Sequence, residues 1–293
     1  MPEAKTLFVI NPISGDINKD ELTTEISEFM KSANMHYEIF FTTGENDKEK
    51  IEDKITTLKP DTVVAVGGDG TCNLVGQTLL EKPIKMGIIP AGSANGMAAE
   101  LGLPANVKDS LGIVFEGKTK PIDVLRINRK HISLHLSDLG FNAKIINTYE
   151  EGEMRGLLGY AKSFIDEFGN AKPAKFELHC DEKIINKEAF MIVLANASQF
   201  GTGAVINPEG KPDDGYFEIV VVRPQNFMNF LEMLVPFYTG KIHTLDFVDT
   251  YRCQHVKIKN PEKQNLQIDG ENIGQPLQVD VEILPRSLTI LVP

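Results

Sequence analysis

Val66-Gly67-Gly68-Asp69-Gly70-Thr71 decides the reading of this chain. Upstream, residues 62–66 form a continuous, mostly β-branched apolar run, the mark of a buried strand. Downstream, residues 71–80 carry apolar side chains at helical spacing. The glycine-rich turn therefore sits between a strand and a helix. Amides at a helix N-terminus lack intrahelical partners and lie at the positive end of the dipole, so they bind phosphate. Glycine lets the backbone approach such a group closely. The competing reading is a tight turn in which Asp69 serves as an N-cap. The segment is not a P-loop, because no GxxxxGK[ST] occurs. It is not a dinucleotide fingerprint, which would follow the first strand.

Working outward, residues 7–10, 37–42 and 85–89 read as further strands. Residues 18–33, 48–58 and 94–101 read as helices, the first with Leu22, Ile26, Phe29 and Met30 on one face. Alternation of strand and helix predicts a parallel sheet with helices on both faces. Two more polar loops fall after predicted strands. Asn11-Pro12-Ile13-Ser14-Gly15 follows the first, and Pro90-Ala91-Gly92-Ser93-Ala94-Asn95-Gly96 follows the fourth. All three loops belong at the carboxyl ends of parallel strands, the edge where open α/β sheets bind ligands.

The texture changes near residue 120. A hairpin is expected at 122–128 and 132–136. Strands are expected at 175–180, 190–195, 217–222, 253–259, 266–269 and 277–284, with helices near 157–168 and 225–238. This predicts an α/β nucleotide-binding domain over residues 1–121 and an antiparallel, β-rich domain over 122–285. The last strand, within 286–293, is a candidate to return to the first domain.

Composition narrows the classes. The chain has 293 residues, 42% apolar and 24% charged, the proportions of a globular protein with a sizeable core. A net charge of −11 without a basic patch argues against nucleic acid as a partner. Cys72, Cys180 and Cys253 are too few and too scattered for a disulfide framework or a cysteine zinc site, which fits a reducing cytoplasm. The opening Met1-Pro2-Glu3-Ala4-Lys5 lacks the pattern of a signal peptide. No run of about 18 uncharged apolar residues is present.

NPxSG after strand one, GGDGT after a later strand and PxGSxN after the next resemble the diacylglycerol kinase catalytic family. That family includes soluble bacterial lipid kinases and the sphingosine and ceramide kinases. The resemblance extends over the whole chain. Its second half adds Gly140-Phe141-Asn142-Ala143, Asn196-Ala197-Ser198, Pro208 through Asp213-Asp214-Gly215, and Gln267-Ile268-Asp269-Gly270-Glu271. GGDGT also occurs in NAD kinases, which share the fold.

The resemblance implies a two-domain lipid kinase/NAD kinase-like fold and an ATP- and magnesium (Mg2+)-dependent lipid kinase. It would phosphorylate a lipid hydroxyl, diacylglycerol-like as the first guess, with a role in lipid metabolism and phospholipid biosynthesis. ATP is implied in the cleft between the domains. Asn11, Ser14, Gly15 and Thr42 would border it, with Thr43 as the alternative to Thr42. Gly67, Gly68, Asp69, Gly70 and Thr71 would wrap the phosphates, and Gly92, Ser93 and Asn95 would approach from the next loop. Asp69 is implied to work near metal and phosphate, and Asp123 in a supporting network. Lys211, Asp214 and Tyr216 would surround magnesium, the first and last through backbone carbonyls. Asp269 and Glu271 are implied as the catalytic pair. Phosphoryl transfer to an alcohol needs positioning, charge neutralisation and a proton acceptor, which suits two carboxylates. Asp269 is favoured as base with Glu271 as partner, and the reverse stays open. In an extended segment they point to one side. If Gly270 makes a turn they diverge.

Two positions depart from the family pattern. Leu74 stands where a glutamate usually follows GGDGT, and Gly96 where an aspartate often follows the asparagine. These departures keep open a catalytically impaired lipid- or nucleotide-binding regulator, and the shared GGDGT loop keeps open an NAD kinase-like nucleotide kinase. His131 and His135 share no helix face and are not expected to bind metal. Cys72 is expected to be packed. The apolar stretch 227–238 reads as a buried helix, or as an acyl-chain groove or membrane-facing surface. The location expected is cytoplasmic, with a peripheral contact at the inner face of the membrane and a homodimer left open.

Overall fold

The computed structural model describes residues 5–15, 18–93, 95–140, 172–200, 203–224 and 227–293. The helix expected at 157–168 and Phe141-Asn142-Ala143 lie outside the described residues. The chain divides into two compact units, residues 1–122 with 286–293, and residues 123–285.

The first unit is a parallel sheet. Its strands are β1 (Lys5–Ile10), β2 (His36–Phe41), β3 (Thr62–Gly67) and β4 (Lys85–Pro90). They lie in the order β2-β1-β3-β4. The last residues of β16 (Gln278–Val292) join parallel to β4, with Thr289 opposite Lys85. β3 is buried along its whole length, which is why its sequence is a continuous apolar run rather than an alternation. Alternate residues of β1 serve two layers. Phe8 and Ile10 join a cluster with Leu22, Ile26 and Met30 of α1 (Lys19–Ser32) and Leu111 and Val114 of α5 (Val107–Glu116). Leu7 and Val9 are equally buried and point to the other face, on the side of α2 (Asp47–Leu58) and α3 (Asp69–Leu79). Asn18 accepts the amides of Asp20 and Glu21, and so fixes where α1 starts. A short α4 (Gly96–Glu100) precedes α5.

The register aligns the carboxyl ends of the strands. Ile10 lies opposite both Phe41 and Val66, and Gly67 lies opposite Pro90. The strand order reverses between β1 and β3, so the loops that follow these two strands leave in opposite directions. That is the switch point at which open α/β sheets bind ligands.

Among the described residues the second unit has two antiparallel sheets. One contains β12 (Val248–Cys253), β11 (Phe217–Val222), β10 (Met191–Ala195), β7 (Leu136–Gly140), β14 (Leu266–Ile268) and β15 (Glu271–Gly274), in that order. The other contains β9 (Lys183–Ala189), β8 (Ala174–Cys180), β13 (His255–Lys259) and the first part of β16, and the hairpin β5 (Lys118–Ile127) and β6 (His131–Ser133) joins it. Phe217, Ile219, Ile192 and Leu194 pack inward against Phe176, Leu178, Val256 and Val281. The intervening residues Val193, Val220 and Val222 are buried on the opposite face, with Met233 of α6 (Phe227–Thr239), Ile242 and Phe247. β10 is apolar throughout, and β11 is apolar except for Glu218, because both of their faces are covered. β8 is covered on one face, so its buried residues alternate with partly or fully exposed ones.

Candidate functional site

Three loops at the carboxyl edge of the parallel sheet are joined to one another. The Asn11 amide donates to the Val66 carbonyl (3.1 Å), and the Ala91 amide to the Gly67 carbonyl (2.9 Å). Gly15 has φ +56°, and a Cβ there would lie 2.6 Å from the Ala91 carbonyl oxygen. Asn11 and Ser14 shape their own loop. The Ile13 amide donates to Asn11 Oδ1 (3.1 Å), and Ser14 Oγ donates to the Asn11 carbonyl (3.0 Å). Thr42 is half-buried, and its amide donates to the Ile10 carbonyl (2.9 Å). The Thr43 side chain is directed instead to Asp47 Oδ1 (3.0 Å).

The Gly67–Thr71 turn opens α3 with Gly68 in the N-cap position and no side chain capping the helix. Glycine in the N-cap position has no side chain to cover these amides, so a ligand can approach the start of the helix. Asp69 does act as a cap, but for a different helix. Its Oδ2 accepts the Gly96 amide (2.9 Å) and its Oδ1 the Met97 amide (3.0 Å), which ties the turn after β3 to the start of α4. Gly67 admits no side chain, since a Cβ would meet Thr71 Oγ1 at 2.2 Å. Asn95 closes its own loop by accepting the Gly92 amide and donating to the Gly92 carbonyl, both at 3.0 Å. Ser93 is exposed. At position 96 it is the backbone amide that Asp69 binds, a contact that needs no side chain.

Sequence reasoning passed over Lys19. It is the first residue of α1, and its ammonium donates to the Ser14 carbonyl. Burial holds its pKa below the ordinary lysine value. A lone lysine past the end of a motif carries no sequence signal.

In the second unit, Asp269 and Gly270 are the two central residues of the β14–β15 hairpin. Their φ angles are +46° and +94°, the signature of a type I′ Asp-Gly turn. The Asp269 side chain turns inward and is 8% exposed. Its Oδ1 accepts Ser133 Oγ (2.8 Å) and the His135 amide (3.1 Å), and its Oδ2 accepts the Leu134 amide (2.8 Å). Glu271 is exposed. The turn is held from below by Gln267, which donates to Asp138 Oδ2 (2.6 Å) and accepts the Gly270 amide.

Asp123 is fully buried, and it shapes the 212–215 turn. Its amide donates to the Pro212 carbonyl (2.7 Å), and its Oδ2 accepts the Gly215 amide (2.6 Å). Asn196 links the neighbourhoods of Asp123 and Asp269 by donating to the Asp123 and Leu134 carbonyls (2.9 and 3.0 Å). Lys211 and Tyr216 are exposed, and Asp214 pairs with Arg252 (2.8 Å), a residue too distant in sequence to have been linked to it. Among the described residues no group of three His, Cys, Asp or Glu side chains is placed to hold a metal ion, His131 and His135 included. Cys72 is buried, and no helix among the described residues is long and apolar enough to cross a membrane.

The chain is similar to known proteins over its whole length. Residues 5–127 match the diacylglycerol kinase catalytic domain, and residues 138–292 match the YegS C-terminal NAD kinase beta sandwich-like domain. A protein of Pectobacterium atrosepticum named "Probable lipid kinase YegS-like" is 26% identical, over 98% of this chain and 96% of that protein. One of the same name from Chromohalobacter salexigens is 31% identical, over 71% of this chain and 69% of its own. The diacylglycerol kinase of Bacillus subtilis is 24% identical, over 98% and 95%. A solved diacylglycerol kinase structure from Bacillus anthracis superposes with a TM-score of 0.77 at 21% identity, over 100% of this chain and 98% of that one. With its catalytic-domain half and its β-sandwich half matched in turn, the chain belongs to the YegS-like lipid kinase family, which carries a diacylglycerol kinase catalytic domain.

Proposed function

We propose that this lipid kinase moves the γ-phosphate of ATP to the hydroxyl of a diacylglycerol-like lipid. The observation that carries the reading is the start of α3. Its first amides have no side-chain cap and lie beside the switch point, while Asp69 is turned away onto Gly96 and Met97. A carboxylate left over those amides would repel phosphate; bound to α4, it stiffens the turn instead. Gly67, Gly68, Gly70 and Thr71 are proposed to wrap the phosphates. Asn11, Ser14, Gly15, Thr42, Gly92, Ser93 and Asn95 are proposed to line the nucleotide's side of the edge, and Lys19 to add a positive charge next to Ser14. Magnesium is proposed to arrive on the nucleotide phosphates, its usual mode in phosphotransferases, where it neutralises charge.

For the acid pair we propose Glu271 as the proton acceptor and Asp269 as the residue that positions it. Asp269 already accepts three hydrogen bonds and is buried, whereas Glu271 is exposed at the surface of the turn. The acceptor is proposed to come from a membrane surface at its cytoplasmic face. Met228, Val235 and Tyr238 share one face of α6 at i, i+7 and i+10 and are 62%, 70% and 49% exposed, in contrast to the buried Met233.

The test is transfer of label from ATP, with magnesium, to a micellar panel of diacylglycerol, monoacylglycerol, phosphatidylglycerol, sphingosine and ceramide, with NAD alongside. Label on a lipid, lost in Glu271→Gln, is the expected result. Label on NAD alone, or ATP binding with no transfer to anything, would overturn the reading.

A further inference from the structure

The turn that follows Lys211 is clamped from two sides. On one side Asp123 holds its backbone, as described above. On the other side stands Arg252 of β12, which lies directly opposite Glu218 of β11 in the sheet register. Arg252 Nη2 donates to Asp214 Oδ2 at 2.8 Å, and its Nε lies 3.5 Å from Glu218 Oε1. Its guanidinium carbon is 4.2 Å from the centre of the Tyr216 ring, a cation–π contact. Two residues on, Gln254 donates to the Gly215 carbonyl at 3.0 Å. The remaining Asp214 oxygen, Oδ1, accepts the Tyr216 amide at 3.1 Å.

These residues do not fit a metal held by Asp214 with the Lys211 and Tyr216 carbonyls. Magnesium demands six oxygens in near-octahedral geometry. Here both oxygens of the carboxylate have protein donors, and one of those donors is itself a cation. A divalent ion at Asp214 would sit against the guanidinium, or would have to strip it from both the carboxylate and the Tyr216 ring. Arginine suits the place because its planar fork can meet a carboxylate and cover an aromatic face at the same time.

We propose that Arg252 is a built-in cation that takes the place of a metal ion at this turn, so that the 211–216 segment is held in shape without magnesium. The magnesium requirement of the protein is then that of its nucleotide alone. The inference concerns the folded, nucleotide-free protein and does not depend on which lipid is phosphorylated.

The experiment is thermal unfolding and magnesium calorimetry on the full chain without nucleotide. Wild-type protein is expected to have the same Tm in EDTA as in magnesium and to give no saturable heat on titration. Arg252→Gln should melt lower in EDTA, recover on adding magnesium, and bind the ion at least about tenfold more tightly than wild type, because a like charge has been removed from beside the carboxylate. Adding Asp214→Asn to that variant should abolish the response. Arg252→Lys, which keeps the charge, should stay indifferent to magnesium. Saturable magnesium binding by wild type, removed by Asp214→Asn, would overturn the proposal. So would a folded Arg252→Gln protein that ignores magnesium. The wild-type titration decides the matter even if Arg252→Gln does not fold.

Discussion

Asp269 and Glu271 flank a single glycine and face opposite environments. Asp269 is 8% exposed and accepts hydrogen bonds from Ser133, Leu134 and His135, while Glu271 is exposed. Their neutral amide variants should therefore fail in different ways. Asp269→Asn replaces an acceptor oxygen with a donor that faces other donors. It should cost about 1–3 kcal/mol of stability and lower activity through loss of shape. Glu271→Gln should leave Tm unchanged and reduce kcat by roughly 10²–10⁴-fold. Paired melting curves and single-turnover rates check this. Equal Tm for the two variants, with the larger rate loss at Asp269, would return the role of base to Asp269.

Gly67 tests the phosphate turn from the packing side. Its missing Cβ is replaced by the side chain of Thr71, which would lie 2.2 Å away at Oγ1 and 2.7 Å away at Cβ. Thr71 is buried and β-branched, so it has little freedom to move. Gly67→Ala should destabilise the protein by about 1–3 kcal/mol and weaken ATP binding as the turn shifts. Urea unfolding and nucleotide titration measure the two effects. Gly102 has open space around it, so Gly102→Ala, strained only by its φ of +67°, serves as a control that should leave nucleotide binding intact.

Much of the first unit was legible because its signals are local. Thr62 and the four apolar residues 63–66 make a short, mostly β-branched run that reads as a strand buried on both faces, and Leu22, Ile26 and Met30 read as one face of a helix. The second unit was less legible at its rims. Among the described residues β9 and β12 are edge strands, and their sequences, Lys183–Ala189 and Val248–Cys253, mix polar with apolar residues as edge strands do. α5 was passed over, although Leu111 and Val114 are buried against the sheet. At the site, the glycines were legible and the partners were not. That Asp69 would cap α4, and that Arg252 would meet Asp214, depends on contacts 27 and 38 residues apart in sequence. The resemblance supplied the residue types; only the fold supplied who holds whom.

Asp47 gives the chain a pH signature. Burial pushes its carboxyl up, but the amides of Thr43 and Gly44, the Thr43 hydroxyl and Lys50 outweigh it and hold the pKa below the ordinary aspartate value. A depressed folded value means the stabilisation is fully present above the unfolded pKa, about 4. It is lost as pH falls through the folded value. The stability difference between wild type and Asp47→Asn should thus be constant from neutral pH down to about 5 and shrink below about pH 4. Urea midpoints across that range read it directly, and a difference that grows in acid would contradict the assignment.

The three thiols offer a reporter for each unit. Cys72 is buried in α3, while Cys180 and Cys253 are buried in the sandwich core. Burial pushes both sandwich thiols up, and only a thiolate attacks a disulfide reagent. Labelling of the native protein should therefore proceed only through opening of the surrounding structure, and its rate should track the population of the open state. A nucleotide bound at the start of α3 stabilises the form in which Cys72 is closed. At a hundredfold excess over its Kd, it should slow Cys72 labelling by about 100-fold. Cys180 and Cys253 should slow only as far as their opening is coupled to that of the first unit. Mass spectrometry of the labelled peptides separates the three sites. If ATP protected the sandwich pair and left Cys72 unchanged, the nucleotide could not be resting on α3, and the phosphate role of the Gly67–Thr71 turn would have to be given up.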